Sequence, residues 1–509
     1  MIETIQTINL AELNLDPPTR ELLQRLLNHI ERLTAELNEV RAENQRLRDE
    51  IARLKGEKGK PEIKANRVAE SGAGAEPKKA TRCGSGGVSV ERVLRAERIK
   101  IDREEVIKLD RSQLPSDVEH RGYREVVVQN IRLETDTVVY RLERLYSPSR
   151  GQLYEARWPE GLAGQSYGRE LQALVIMLYF ELRVPEEKIL KLLGSQGIVI
   201  SAGEISNILI KKHLEPFAQE RKAVLRAGLE TTDYQHIDDT GARVDGVNHY
   251  VMTLCNPYYT SFFTHRHKNQ ETVAGLLSVL DEPGEGGRAI GRAATEAGPS
   301  GVAADEATGG KTLRDSVPIL VCDDAGQFHD QTEHRALCWV HEERHYKKLR
   351  PFFEAHQQWV DEFRRDLWKY YERLKAYQAA PTPEMKAELS AAFDELFSRT
   401  TGYEALDHRI ALTRQKKREL LLVLEFPQVP LENNEAERAV REYVIKRKIS
   451  NGTRTQEGTR AWDVFLSLLD TCRKNGVNFY GYLVDRISQS HQIPALDTLV
   501  LAHARASPG

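Results

Sequence analysis

The 509-residue chain has few cysteines, no long hydrophobic run and almost no net charge. Its five cysteines are scattered and form no Cys-x-x-Cys pair, which excludes a disulfide scaffold and a cysteine-only zinc site and favours a reducing compartment. The longest apolar run, at 171–182, is well short of the roughly twenty residues that cross a membrane. The N-terminus lacks a basic segment followed by an apolar core, so we expect no secretory signal and a cytoplasmic location.

The net charge of −3 conceals local asymmetry in a chain that is 29% charged and 40% hydrophobic. Such a composition predicts a soluble protein with several globular domains, since a domain commonly holds about 100–200 residues. Any contact with a polyanion must come from local basic surfaces rather than from an overall positive charge.

Residues 19–56 are predicted to form a coiled coil. From Ile30 to Leu54 apolar residues recur at alternating intervals of three and four, and Asn44 takes one core position of this heptad. A buried asparagine at such a position lowers stability but fixes register and favours two parallel strands. Dimerisation is the preferred interpretation, and a single helix packed on its own domain is the alternative.

Three further segments differ from the globular parts in composition. Residues 57–95 are predicted to be a flexible basic linker, which acts as a solvated spacer or contacts phosphates. Residues 96–160 alternate polar and apolar side chains in short runs, which predicts a small antiparallel β unit. Residues 281–313 are rich in Gly and Ala without periodicity and are predicted to be a disordered insert.

Residues 161–228 are predicted to be helical. Two short helices flank a glycine-containing turn, and Ser201 is placed to cap the second helix. This spacing is typical of a helix-turn-helix, whose outer face would present Lys211 and Lys212 to DNA. Two helices packed in a core produce the same pattern, so both interpretations stay open.

Residues 229–490 are predicted to form an α/β domain, with a tail at 491–509. Three short strands form a meander, a helix follows, and a buried strand then ends in acids at 323–324. A helical insertion is predicted at 333–425, after which a new helix begins near Asn434.

Acidic residues end two of these strands and begin the last helix. They are Asp238 with Asp239, Asp323 with Asp324, and Glu437. Adjacent strand residues point to opposite faces, so one member of each pair can join Glu437. Three carboxylates repel one another unless a cation lies among them, and their oxygens suit magnesium or manganese. Two such ions can promote cleavage of a phosphodiester. A lone acid at a strand end is more often a turn residue, so the ordered set carries the inference.

Basic residues follow Glu437 along the same helix. At helical spacing Glu437, Arg441 and Lys448 share one face, which suits a metal-phosphate site as well as it suits solvent. The candidate phosphate contacts, of which some would instead be solvated, are Arg438, Arg441, Lys446, Arg447, Lys448 and Arg454.

The ordered motifs resemble the insertion-sequence-66 family of transposases. HIDDT at 236–240 resembles the family's His-Ala-Asp-Glu-Thr, and CDDAGQF at 322–328 is similar to its second-aspartate segment. ALCWVHEERHYKKL at 336–349 resembles the family's Cys-Trp-x-His helix. LENNEAERAVR at 431–441 resembles the segment around the catalytic glutamate, and NGVNFYGYL at 475–483 the closing helix. The coiled coil, linker and β unit also come in the family's order, so the likeness covers nearly the whole chain.

The resemblance implies both a fold and a function. The fold would be multidomain α+β, with a coiled coil, a small β unit, a helix-turn-helix-like region and a ribonuclease-H-like catalytic domain of DDE type carrying a helical insertion. The chain would be a DNA transposase that binds terminal inverted repeats, cuts DNA and joins the 3′ ends to target DNA by two-metal phosphoryl transfer, with magnesium or manganese. Its partners in the bacterial cytoplasm would be DNA, further copies of the chain and accessory proteins of the same element, with no membrane.

Carried over residue by residue, the resemblance implies Asp238, Asp323 and Glu437 as the catalytic, metal-binding triad. The first aspartate of the first pair is preferred because the family has glutamate at the second position. The spacing to Phe328 favours Asp323 over Asp324.

The resemblance also implies supporting residues. Cys338 and His341 form a Cys-x-x-His pair that would hold DNA near the cut or position the active site, and Asn434 belongs to the glutamate motif. Packing around Trp339 explains the same pair without a functional role. A zinc site is not expected there because two further ligands are missing.

The sequence departs from the family in the β unit, where members usually carry two cysteine pairs that bind zinc. Cys83 stands alone and residues 144–151 replace the second pair, so no zinc is predicted.

The alternative to a transposase is a catalytically inactive or domesticated DNA-binding dimer that keeps the fold. A nuclease acting on RNA–DNA hybrids is a further alternative, for which the coiled coil has no obvious use.

Overall fold

The computed structural model describes residues 15–54, 101–108, 123–124, 126–131, 133–158, 165–278 and 317–506. They belong to two compact units, one made of Met1–Asn38 with Glu134–Gly509 and the other of Glu39–Leu133. The predicted linker at 57–95 and the predicted insert at 281–313 lie outside the described residues.

The predicted coiled-coil segment is one continuous helix, α1 (Pro17–Leu54). Its first part packs on the larger unit, where Leu27 and Phe353 form a small apolar cluster. The buried Glu31 carboxylate accepts hydrogen bonds from the backbone N–H groups of Phe353 and the residue before it, and lies 3.0 Å from His356 Nδ1. A helix packed on its own domain therefore describes this part of α1.

The heptad core positions further along α1 face solvent. Leu33 and Leu37 are 50% and 49% exposed, and the later positions Val40, Leu47 and Ile51 are exposed to a similar degree. An apolar stripe on a helix is stabilising only when another surface covers it. A partner helix remains the prediction for this stripe.

The predicted β unit contains a single hairpin among its described residues. Strands β1 (Arg144–Ser147) and β2 (Gln152–Glu155) pair antiparallel. The described residues of 101–108 and 126–131 form no strand, and nearly all of their side chains are exposed. The prediction of strands throughout 96–160 is wrong for these segments, because alternation yields a stable strand only where other strands or a helix cover one face.

The region predicted to be helical contains four helices in its described part. They are α2 (Arg169–Phe180), α3 (Glu186–Ser195), α4 (Ala202–Asn207) and α5 (Leu214–Leu229). Ser201 caps α4 as predicted, since its hydroxyl accepts the backbone N–H of Glu204 at 3.1 Å. A wider helical turn at Ile208–Lys212 joins α4 to the next helix.

A mixed five-stranded sheet forms the centre of the larger unit. Its strands are β3 (Tyr234–Val244), β4 (Val247–Cys255), β5 (Thr260–His265), β6 (Ile319–Cys322) and β7 (His334–Leu337), in the spatial order β5-β4-β3-β6-β7. The first three form the predicted antiparallel meander, and β6 and β7 run parallel to β3. Helix α6 (Gln270–Ser278) follows the meander.

The prediction that the helical insertion begins at residue 333 is wrong, because residues 334–337 form β7 and extend the sheet beside β6. The insertion begins after β7 with α7 (Trp339–Lys347). It continues through α8 (Glu354–Ala379), α9 (Pro383–Leu396), α10 (Glu404–Gln415) and α11 (Lys417–Leu420).

Four helices close the chain. They are α12 (Asn434–Ser450), α13 (Gln456–Lys474), α14 (Phe479–Ser488) and α15 (Leu496–Ala506). Helix α13 ends at the predicted Asn475–Gly476 pair, where Gly476 has a φ of +66°. The segment predicted to be a tail contains α15, which packs on α5 and buries Leu496 and Val500 completely.

Helix α13 covers the edge strand β5 with polar side chains. Asp463, Ser467 and Thr471 are buried and accept hydrogen bonds from alternate backbone N–H groups of β5. Four helical residues rise about 6 Å and two strand residues about 6.8 Å, so the two spacings match. The N–H groups of this edge are thereby closed to pairing with another chain.

Candidate active site

Two of the predicted acids lie side by side where the pairing of β3 with β6 stops: Asp323 directly follows β6, whereas Asp238 lies inside β3, which continues to Val244 instead of ending at the acid as predicted. His236 of β3 is the register partner of Val321 of β6, so Asp238 and Asp323 each follow two residues later on adjacent strands. Burial, followed by the negative charges of Asp323 and of two other acids, raises the pKa of Asp238 to about 7, although a backbone hydrogen bond opposes the rise. One of those other acids is Glu437. The charges of Asp323 and Glu437 thus both act on Asp238. Among the described residues, however, the acidic, histidine and cysteine side chains whose ligand atoms all lie within 4.8 Å of one another are Cys338, His341 and Glu437, so the three carboxylates are spaced more widely than that.

Glu437 reaches this edge because α12 is fastened to β3 by a buried asparagine. The Asn433 side-chain amide donates to the carbonyl of Ile237 at 2.8 Å, so its Oδ1 faces His236 Nδ1, also at 2.8 Å. Burial lowers the pKa of His236 to about 4, and the neutral ring donates from Nδ1 to the asparagine oxygen. Glu437 then lies in the first turn of α12, which is joined to the part of β3 directly before Asp238.

The start of α7 is tied to the same point. Cys338 N–H donates to the Cys322 carbonyl at 3.0 Å, directly before Asp323, and Cys338 Sγ accepts the backbone N–H of Asn433 at 3.3 Å. Trp339 N–H donates to the carbonyl of Leu431 at 2.9 Å. The ends of β6 and β7 and the starts of α7 and α12 therefore meet at one place.

The second acid of each pair forms ion pairs with nearby basic side chains. Asp239 lies 3.2 Å from Lys268 Nζ. Asp324 lies 2.6 Å from Lys416 Nζ and 3.3 Å from Arg335 Nη1. Burial alone would raise the pKa of Asp324, but the hydrogen bond and charge of Lys416 outweigh it and lower the pKa. Asp323, by contrast, accepts the backbone N–H of Ala325 at 3.1 Å.

Cys338 and His341 lie against Glu437. Their ligand atoms and a Glu437 oxygen are all within 4.8 Å of one another. Arg344 Nη2 donates to Glu437 Oε2 at 3.2 Å, and Arg344 Nη1 donates to His341 Nε2 at 2.9 Å. The pair is thus placed beside the third acid, while Trp339 packs separately among the aromatic rings of Tyr370 and two phenylalanines of the insertion.

A cavity of about 360 Å³ opens beside Asp323 and is bordered by cationic side chains and by the acids Asp324 and Glu342. Those cations, which the sequence analysis did not single out, are Arg344, Lys348, Arg409 and Lys416. Arg344 and Lys348 belong to the basic run after His341, which is visible in the sequence. Arg409 and Lys416 come from α10 and its end, about seventy residues further along the chain. Only the fold brings them to the acids.

The candidate phosphate contacts around α12 and its end differ in exposure. Arg438, Arg441, Lys448 and Arg454 are exposed, and Arg447 is half-buried with a guanidinium near the backbone of Gly241. Near the helix-turn-helix-like region, Lys211 is exposed, whereas Lys212 is half-buried and 3.8 Å from Glu204.

The prediction that Lys446 contacts a DNA phosphate is wrong. Its side chain is fully buried, its ammonium donates to the carbonyl of Tyr179 at 2.7 Å and it lies 3.3 Å from the centre of the Tyr179 ring, with Trp462 also nearby. Burial lowers the pKa of Lys446 to about 7, against the opposing charge of Glu186. A lysine in this environment is not accessible to a DNA phosphate, so Lys446 leaves the set of candidate contacts.

The supporting role expected of Asn434 is better matched by its neighbour. Asn434 is the first residue of α12 and is half-buried, whereas Asn433 is buried and makes the hydrogen bonds that join α12 to β3. No helix in the described part of the chain is long and apolar enough to span a bilayer.

Comparison with known proteins identifies the family. The family model described as "Transposase IS66 family" matches residues 304–461, which include Asp323, Cys338, His341 and Glu437. An uncharacterised protein, y4jO, of Sinorhizobium fredii (strain NBRC 101917 / NGR234) is 33% identical over 329 residues, which cover 55% of this chain and the whole of that protein. A second uncharacterised protein of the same strain, y4qI, is 28% identical over 193 residues, 34% of each chain. The chain belongs to the IS66 transposase family.

Proposed function

We propose that the chain is a DDE-type DNA transposase that binds the terminal inverted repeats of its element, cuts the DNA and joins the 3′ ends to target DNA. The observation that carries the proposal is that Asp238 lies near Asp323 and Glu437, so that burial first and then the charges of these acids raise its pKa. Such mutual repulsion is unfavourable unless a cation or a proton relieves it. The family match supports the same reaction class.

The donor set suits a hard divalent ion. Asp238, Asp323 and Glu437 offer carboxylate oxygens at one edge of the sheet, which is the ligand type that magnesium and manganese favour. When bound, a pair of such ions would activate the attacking oxygen and stabilise the leaving oxygen on a phosphodiester. The chain's own contribution is to hold the three carboxylates in place through the Asn433 hydrogen bonds, since phosphoryl transfer depends strongly on positioning.

The cations beside the acids would hold the DNA backbone. Arg344 and Lys348 of the α7 segment border the cavity from one side. Arg409 and Lys416 border it from the α10 side, where they form ion pairs with Glu342 and Asp324 that a phosphate would have to replace. The exposed bases of α12 extend the same kind of surface. Their contribution to binding would weaken with salt, because neutralising phosphates releases counterions.

The remaining parts of the fold support the same proposal. Three antiparallel strands followed by two parallel ones give the sheet order expected of a ribonuclease-H-like domain, with one acid inside β3 and another directly after β6. Helices α3 and α4, with the capped start of α4, are suited to a helix-turn-helix role in reading the element's ends. The exposed heptad stripe of α1 would pair two copies, and with them two DNA ends.

The test is strand transfer with the purified full chain, the DNA that flanks its own gene, and magnesium or manganese. We expect chelation to abolish joining, either ion to restore it, and Asp238→Asn and Glu437→Gln each to remove it while DNA binding persists. Asp323→Asn should behave in the same way. Asp324→Asn is the matched control, since its carboxylate, unlike that of Asp323, is not among the acids whose charges act on Asp238.

The outcomes separate the alternatives. If Asp324→Asn abolished strand transfer and Asp323→Asn did not, Asp324 and not Asp323 would be the second acid of the triad. A wild-type chain that binds the ends and never cuts them, with any divalent ion, would instead be an inactive DNA-binding relative. Unchanged joining by Asp238→Asn and Glu437→Gln would refute the triad altogether.

A further inference from the structure

Cys338, His341 and Glu437 bring a sulfur, a nitrogen and an oxygen together beside the acids. All three ligand atoms lie within 4.8 Å of one another. His341 Nδ1 and Glu437 Oε1 are 3.6 Å apart, and each is buried without a hydrogen-bond partner among the residues the structure describes. Buried polar atoms are nearly always satisfied, so two that face each other indicate a ligand shared between them.

The spacing suits one ion held by both atoms. In a tetrahedral site with bonds of about 2.0 Å to nitrogen or oxygen and about 2.3 Å to sulfur, neighbouring ligand atoms are about 3.3–3.8 Å apart. The nitrogen–oxygen distance of 3.6 Å already lies in that range. The sulfur lies within 4.8 Å of both atoms, so it would have to move closer by at most about 1 Å.

Burial raises the pKa of the Cys338 thiol to about 11, so the thiolate requires a bound ion, and the local backbone donors oppose only part of that rise. Cys338 directly precedes the first residue of α7, and the backbone N–H of Asn433 donates to its Sγ at 3.3 Å. Amide donors and a helix N-terminus both stabilise negative charge on sulfur. On coordination the thiol proton would pass to the buffer, and the sulfur would carry the charge that the ion balances.

We propose that Cys338, His341 and Glu437 bind a thiophilic divalent ion of the Zn²⁺ class, with solvent completing its coordination. Cys338 and His341 are close together in the sequence, and the fold brings Glu437, which is 96 residues beyond His341, to the same place. Sulfur with imidazole selects zinc-like ions, whereas magnesium prefers oxygen ligands alone. This site is therefore chemically distinct from the carboxylate triad, although it shares Glu437.

Arg344 supplies the positive charge at this site when no ion is bound. Its guanidinium donates to both His341 Nε2 and Glu437 Oε2, and its side chain is 44% exposed. Binding of the ion to Nδ1 requires the ring proton to lie on Nε2, where it would repel the arginine donor. Arg344 would then turn towards solvent, and its removal should strengthen metal binding.

The test is cobalt binding by the metal-stripped full chain, followed by displacement with zinc. Cobalt bound to a thiolate gives a near-ultraviolet charge-transfer absorption that carboxylate ligands alone do not produce. We expect the wild type to show this absorption at one cobalt per chain, and Cys338→Ser to lose it. His341→Ala and Glu437→Gln should weaken cobalt binding by at least about tenfold, since even loss of a second-shell partner costs about 10–100-fold. Arg344→Gln should bind cobalt more tightly than the wild type.

Matched variants keep the result interpretable. Cys472→Ser removes a buried cysteine of α13 that is not part of the cluster and should leave the absorption unchanged, as should Asp238→Asn, which removes a triad acid. Circular dichroism of each variant establishes that it is folded. No sulfur–cobalt absorption in the wild type at saturating cobalt, or its persistence in Cys338→Ser, would overturn the proposal and leave a hydrogen-bonding role for the pair.

A second consequence rests on the proposed function. Because Glu437 belongs to both sets of ligands, zinc should inhibit magnesium-dependent joining in the wild type and inhibit Cys338→Ser at least about tenfold less. The cobalt spectrum does not depend on activity, so a chain that binds cobalt but joins no DNA would refute the transposition mechanism and not the metal site. A chain that joins DNA with magnesium but binds no cobalt would refute only the metal site.

Discussion

Replacement of Asn433 by alanine should destabilise the larger unit more than any other single change at the start of α12. The side chain is 1% exposed, as is that of its partner His236. Alanine leaves the His236 Nδ1–H and the Ile237 carbonyl without their asparagine partner. A buried polar group left unpaired costs about 1–3 kcal/mol. Two such groups give about 2–6 kcal/mol, and we expect a value near the middle, about 4 kcal/mol.

The measurement is urea unfolding followed by tryptophan fluorescence. Trp339 and Trp462 are both buried in this unit, so their emission reports its unfolding. A loss of about 4 kcal/mol should lower the urea midpoint by roughly 1 M or more at unchanged slope. Asn434→Ala is the matched control, because that side chain makes no hydrogen bond with any described residue. It should shift the midpoint by only a small fraction of this amount.

A double-mutant cycle with His236→Ala sharpens the test. If the two side chains stabilise the fold through each other, the loss for the double variant should fall short of the sum of the single losses by about 0.5–3 kcal/mol. Strict additivity, or an Asn433→Ala midpoint equal to that of Asn434→Ala, would refute the conclusion that this asparagine fastens α12 to β3.

Three further predictions concern other parts of the chain. The pKa of Lys446 is about 7 in the folded chain, below its ordinary value of 10.5. Between pH 7 and pH 10.5 the unfolded chain therefore binds one more proton than the folded chain, and the free energy of unfolding should rise with pH over this range. Lys446→Met should flatten that rise in urea midpoints measured at about pH 7 and pH 10. Lys448→Gln should lower the slope of log K against log salt for duplex DNA by about 0.9, whereas Lys446→Gln should not change it, as read by fluorescence anisotropy. Glu31→Ala removes the acceptor at the start of α8 and should speed amide exchange over residues 17–38, and the exposed Glu36→Ala should not.

Local sequence was sufficient to predict the strands that carry the acids. The meander is marked by alternation and by turns at Asp245–Gly246 and Asn256–Pro257, and β6 is a short run of Ile, Leu, Val and Cys. Because the two strands are parallel neighbours, Asp238 inside β3 and Asp323 directly after β6 lie side by side where their pairing stops. That part of the candidate site follows from period and order alone.

The elements that were missed depend on contacts between distant segments. Strand β7 has only four residues, two of them polar, and it is a strand because β6 pairs with it. The opposite error occurred at 126–131, where three valines and an isoleucine suggest a strand but no covered face is present in the described residues. The third ligand of the Cys338 cluster likewise has no local signal, since it arrives on another helix.

Lys446 shows that one error was avoidable from the sequence. At about 100° per residue, Lys446 lies about 180° around α12 from Glu437, whereas Lys448 lies within about 20° of it. The buried residues Ala439 and Tyr443 lie at about 200° and 240°, so the same arithmetic that aligned Lys448 with the acid put Lys446 at the margin of the apolar face. A basic run should therefore be assigned to DNA by helical angle, residue by residue, because a single helix can turn one lysine to solvent and another into an aromatic cage two positions away.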